Sequence, residues 1–162
     1  MKAQLIAAFA AIAIGAAIYA APRPAAAPQV RFVTLSGKHF TTADLRGKVV
    51  LVNFWATWCA DCVKEMPKMA ETYRKFAPRG YEMVAVAVAS DHPNQVAAFT
   101  RNRALPFEVA LDLDGAVAKS FGNVHITPSS FLIDKEGRVI RKYVGAPDWA
   151  DLDAAVARAL GA

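Results

Sequence analysis

From Val30 onward the order of polar and apolar positions divides the chain into short elements. Val30-Arg31-Phe32-Val33-Thr34-Leu35 alternates at the strand period, Ser36-Gly37-Lys38 offers a turn, and His39-Phe40-Thr41 returns, which predicts a small hairpin. Thr42 to Arg46 fits a helical turn ended by Gly47. Lys48 to Ala56 is almost continuously apolar and rich in β-branched residues, the pattern of a strand buried on both faces at the centre of a sheet. Beyond it, Val63, Met66, Ala70, Tyr73 and Ala77 recur at helical spacing with Lys64 and Lys68 on the other side. An amphipathic helix is predicted there, kinked at Pro67 and stopped by Pro78-Arg79-Gly80. Met83 to Ala89 reads as a second buried strand, Pro93 to Ala104 as a helix opened by Asp91 or His92, Phe107 to Leu111 as a short strand, and Gly115 to Phe121 as a helical turn. Ser129 to Ile133 and Arg138 to Val144 flank the turn Asp134-Lys135-Glu136-Gly137, where Asp134 caps the turn, and Asp148 caps a last helix to Leu160. Strand, helix, strand, helix, then hairpin and helix is the order of an α/β sandwich with a mixed sheet.

The first thirty residues follow a different pattern. Leu5 to Ala21 carries no charge over about seventeen residues, enough for roughly 26 Å of helix, with Lys2 before it and Arg23 after it. Residues 1–21 therefore read as a signal anchor or a cleavable signal peptide, either of which exports the body. Ala25-Ala26-Ala27 suits cleavage, but Pro28 would follow the cut, which favours the anchor. Residues 22–29, rich in Pro and Ala, read as a stiff linker, and 30–162 as one domain. The 55% hydrophobic content belongs largely to the leader and to alanine. A net charge of +5 is spread along the chain without a basic run, which argues against a nucleic-acid partner. A monomer is expected, and no cofactor.

Candidate chemistry centres on the only two cysteines, Cys59 and Cys62. A structural disulfide usually closes a longer loop, so a pair three positions apart is better explained by reactivity. The pair falls where the buried strand gives way to the helix. Cys59 is then at a helix N-terminus, where free N–H groups and the macrodipole favour a thiolate, and Cys62 lies one turn inside. That placement makes Cys59 the attacking sulfur and Cys62 the resolving one. Half a zinc site has the same spacing, but His39, His92 and His125 are scattered without ligand spacing, and no metal is expected. Two other readings stay open: Cu(I) held between two thiolates, and a thiol peroxidase, for which Thr57 stands one residue too close to Cys59. Trp58, beside Cys59, reads as an exposed docking residue and Trp55 as packing beneath the site.

Asn53-Phe54-Trp55-Ala56-Thr57-Trp58-Cys59-Ala60-Asp61-Cys62-Val63-Lys64-Glu65-Met66-Pro67 resembles the active-site segment of the TlpA/ResA-like thiol-disulfide oxidoreductases, and Thr127-Pro128-Ser129-Ser130-Phe131-Leu132-Ile133-Asp134 resembles their second segment. The likeness runs over nearly the whole body. It implies a thioredoxin fold with an N-terminal β-hairpin extension, held by its N-terminal segment at the outer face of the cytoplasmic membrane. It further implies reduction of disulfides in selected exported proteins, apocytochrome c among them, with electrons from a membrane thiol reductase. Carried over residue by residue, Pro128 is expected to be a cis proline facing the cysteines, with the Thr127 backbone free to pair with substrate, and Glu65 to lie close to the cysteines and influence their acidity. Without the resemblance, Glu65 is equally a solvated helix residue beside Lys68, and His125 is incidental or lies near the disulfide. Ala60-Asp61 departs from relatives that often have Pro before the second cysteine. Asp61 in the helix's first turn stabilises it by roughly 0.3–1 kcal/mol, and its charge opposes a Cys59 thiolate by on the order of 1 kcal/mol, which favours a reducing character.

Overall fold

The computed structural model describes residues 24–161, so the leader reading of 1–21 lies outside the described residues. Among the described residues no helix is long and apolar enough to cross a membrane. The elements are β1 (Arg31–Val33), β2 (His39–Thr41), β3 (Val49–Trp55), α1 (Ala60–Phe76), β4 (Tyr81–Ala87), α2 (Pro93–Arg103), β5 (Glu108–Leu111), α3 (Ala116–Ser120), β6 (Ser129–Ile133), β7 (Val139–Val144) and α4 (Trp149–Leu160), with 3₁₀ turns at Ala43–Leu45 and Ala77–Arg79. A five-stranded sheet runs β5-β4-β3-β6-β7, parallel from β5 to β3 and antiparallel from β3 to β7. This is the mixed sheet expected of a thioredoxin fold. The predicted N-terminal hairpin is present as β1-β2, and Thr34 bridges Ala110, joining the extension to the β5 edge.

β3 sits in the middle, and all seven of its residues are buried, as its apolar run predicts. Side chains alternating across the sheet feed two cores. On one face Leu51, Trp55, Met66, Met69, Met83 and Leu132 pack with Leu152 and Val156 of α4. On the other, Phe54 meets Phe121 and Phe131 edge-on at centroid distances of 5.5 and 5.9 Å.

Three expectations are corrected. β4 begins at Tyr81 rather than Met83, because Tyr81 and Glu82 stand in register beside Val49 and Val50. Helix α1 buries Cys62, Glu65, Met66, Met69, Ala70, Thr72 and Phe76, a face turned from the predicted stripe so that Val63, Tyr73 and Ala77 lie at its margin. The stretch read as a stiff linker is partly docked. Ala27 is buried and donates its N–H to Gly137 O at 2.9 Å, and Ala25 O accepts from Val139 N at 2.8 Å. The folded body thus starts by Ala25 rather than at Val30.

Candidate active site

The end of β3 delivers the chain into the loop Ala56-Thr57-Trp58, and α1 starts at once behind it. Cys59 is the N-cap of α1, extended in backbone, and its sulfur accepts from Cys62 N at 3.2 Å. Cys59 and Cys62 form a disulfide with Cα atoms 5.2 Å apart. Cys59 is 8% exposed and Cys62 fully buried, so only the first sulfur is reachable from outside. The open N–H groups of the helix end and the macrodipole both favour negative charge on that sulfur once the pair is reduced.

Around the pair the structure brings together most of the predicted residues. Trp58 is 60% exposed beside Cys59, whereas Trp55 is fully buried with its ring 5.2 Å from Phe99, which divides the two tryptophans as the sequence reading does. The Thr127-Pro128 peptide is cis, and Pro128 is buried. Because Ser129 pairs with Phe54, Pro128 reaches the level of Trp55, at the sheet end that carries the redox pair. A cavity of about 320 Å³ is lined by Trp58, Val88 to Ser90, Ala118, Lys119, Val124, His125 and Thr127. His125 therefore stands in the groove beside Trp58.

Glu65 points inward and is 3% exposed. Asn53 Nδ2 donates to Glu65 Oε1 at 3.0 Å and to Ser130 Oγ at 3.0 Å; Glu65 Oε2 and Asn53 Oδ1 are buried without a partner. Lys68 pairs with Glu71 at 2.9 Å, so the solvated reading of Glu65 does not hold. Burial pushes the Glu65 carboxyl up to about 7, against the bond from Asn53, and the negative charge of Asp61 adds to the rise. A cavity of about 220 Å³ is lined by Glu65 together with Asp61, Lys64, Lys68, Ala146 and Trp149. Asp61 is exposed in the first turn of α1 with Lys64 Nζ 3.4 Å away.

Some functional neighbours escape sequence reasoning. Asn53 had a signal, as the lone polar residue in the apolar run of β3; Ser130 becomes visible only when β6 is laid against β3. Of the two residues expected to open α2, His92 is the N-cap, without a side-chain bond, and Asp91 turns back to accept from Thr57 N and Oγ1. Asp134 does cap its turn, accepting from Glu136 N and Arg138 N at 3.1 and 2.9 Å. Among the described residues no three His, Cys, Asp or Glu side chains gather as a metal site.

A family model described as Redoxin matches residues 23–161. The chain belongs to the Redoxin family. Within that family it is 41% identical over 119 residues to the thiol-disulfide oxidoreductase ResA of Bacillus thuringiensis subsp. konkukian (strain 97-27), covering 74% of this chain and 68% of the relative. The ResA of Bacillus subtilis (strain 168) is 39% identical, covering 74% of this chain and 65% of the relative. A crystal structure of a thiol:disulfide interchange protein of the thioredoxin family from Chlorobium tepidum TLS superposes with a TM-score of 0.79 at 35% identity, covering 88% of this chain and all of the other. With its vicinal cysteines joined at the helix end, this Redoxin-family chain is a thiol-disulfide oxidoreductase of the ResA-like group.

Proposed function

We propose that the chain reduces disulfides in selected exported proteins outside the cytoplasmic membrane, with the N-terminal segment as its anchor. The observation that carries this reading is the disulfide capping α1, with one sulfur reachable beside an exposed tryptophan and the other buried. In the reduced state the Cys59 thiolate attacks one sulfur of a substrate disulfide. A mixed disulfide forms and the substrate's other sulfur leaves as thiolate. Cys62 then attacks Cys59 Sγ, the second substrate thiolate departs, and the Cys59–Cys62 bond closes, so two electrons have passed from the dithiol to the substrate.

Each supporting residue has a part that its placement favours. Cys62 is buried and needs its proton removed before it attacks; Glu65, buried on the same helix with its carboxyl pushed up to about 7, suits that transfer. Trp58 and Thr127 line the groove proposed as the docking surface, and the cis Pro128 behind it holds the Thr127 backbone at the sheet end that carries the redox pair. The apocytochrome c disulfide is a substrate of the expected kind, and a membrane thiol reductase is the expected electron donor. The test is a trap. Cys62→Ser leaves Cys59 unable to resolve, so exported substrates accumulate as mixed disulfides that mass spectrometry identifies after release by reductant. Equal capture by Cys59→Ser, or none by Cys62→Ser, overturns the assignment.

A further inference from the structure

The geometry points to Asp91 as a positioning residue that sets the substrate groove through Thr57, an inference that rests on the reductase reading above. Asp91 is 6% exposed, and its two carboxylate oxygens divide the two donors of one residue: Oδ2 accepts from Thr57 N at 2.6 Å and Oδ1 from Thr57 Oγ1 at 2.7 Å. Among the described residues no Lys, Arg or His pairs with Asp91. A buried carboxylate costs desolvation that hydrogen bonds must offset, and Asp91 recovers it from a loop thirty-four residues away in sequence rather than from the helix it precedes.

Both ends of this clamp border the groove. Thr57 is followed by Trp58, which forms one wall, and Asp91 is preceded by Val88-Ala89-Ser90, which forms the adjoining one. Behind them Val88 N donates to Trp55 O at 3.1 Å and Asp91 N to Val88 O at 2.9 Å, so the 88–91 loop is anchored at its root to the end of β3. The carboxylate then fixes its tip to the residue two before Cys59. Releasing it frees the Trp58 wall to move relative to Val88-Ala89-Ser90, while Cys59 keeps the helix end that favours its thiolate. The clamp therefore governs how a peptide is held against Cys59, beyond the reactivity of the sulfur.

The experiment compares two disulfides on the reduced full-length protein: a synthetic peptide closed by one disulfide, and 2,2′-dithiodipyridine, which is too small to span the groove. Asp91→Ala should raise KM for the peptide about tenfold, in line with the cost of misplacing a bound group. Its rate with dithiodipyridine should change by less than about threefold, since that reagent gains little from positioning. Thr57→Val, which loses the hydroxyl donor and keeps the backbone bond, should raise KM in the same sense, and Thr57→Ser, which keeps both donors, should restore it. Should Asp91→Ala not fold, the Thr57 pair decides alone. An unchanged peptide KM, or equal slowing with both disulfides, overturns the clamp. Wild-type protein that reduces neither disulfide overturns the reductase reading itself, a result distinct from failure of the clamp.

Discussion

At the scale of single residues the site is built from groups whose roles follow from burial. Cys59, Cys62 and Trp58 were legible because their types and spacing carry the chemistry themselves. Asn53, Ser130 and Asp91 were not, because their meaning lies in partners far along the chain: Asn53 to Ser130 spans 77 residues. Glu65 yields a prediction with a definite sign. Its carboxyl ionises at about 7 in the folded chain against an ordinary value of 4.5, so below 4.5 both folded and unfolded states hold the proton. Between the two values only the folded state holds it, and stability falls as pH rises through that window by on the order of 3 kcal/mol. Glu65→Gln removes this slope. Denaturant midpoints of the oxidised proteins at pH 5 and pH 8 should fall more steeply for wild type than for the variant. Parallel changes would place the Glu65 charge in water. In the reduced protein the same substitution should shift the pH profile of thiol alkylation.

Among the elements, strands were the most legible and the helix face the least. β3 declares itself because burial on both faces leaves no polar alternation to misread. The face of α1 was misplaced because two of its inward positions, Glu65 and Thr72, are polar; Asn53 and Asp153 supply the partners that let them turn in, Thr72 Oγ1 reaching Asp153 Oδ1 at 3.0 Å. Sequence periodicity counts only apolar residues, so a face carrying paired polar groups is drawn too narrow. The last helix shows the opposite case, a cap readable from type and position. Asp148 Oδ1 accepts from Asp151 N at 2.8 Å, and Asp148→Ala should cost about 1 kcal/mol, lowering Tm by about 3 °C. Thermal scans of the oxidised protein check this. Because the cap lies outside the groove and the redox pair, peptide reduction should be unaltered.

For the whole molecule, the fold was legible because element order and one long motif agree, whereas the docked stretch before Val30 was not, since Pro and Ala there give no periodic signal. Membrane fractionation of cells making the full chain should find it in the membrane fraction, sensitive to protease added outside; a soluble form starting near Gln29 would show a cleaved leader. Cleavage at that point would also strip Ala25 and Ala27 from the β6-β7 hairpin. That docking settles a polarity. Ala27 is held at Gly137, in the turn after β6, while the redox pair lies level with the start of β6, one strand length away, roughly 17 Å for five residues. On the proposed topology the handle enters at one pole and Cys59 opens at the other. A longer stalk would carry the thiol farther from the bilayer without turning it back, and donor and client must approach the same outward pole in succession.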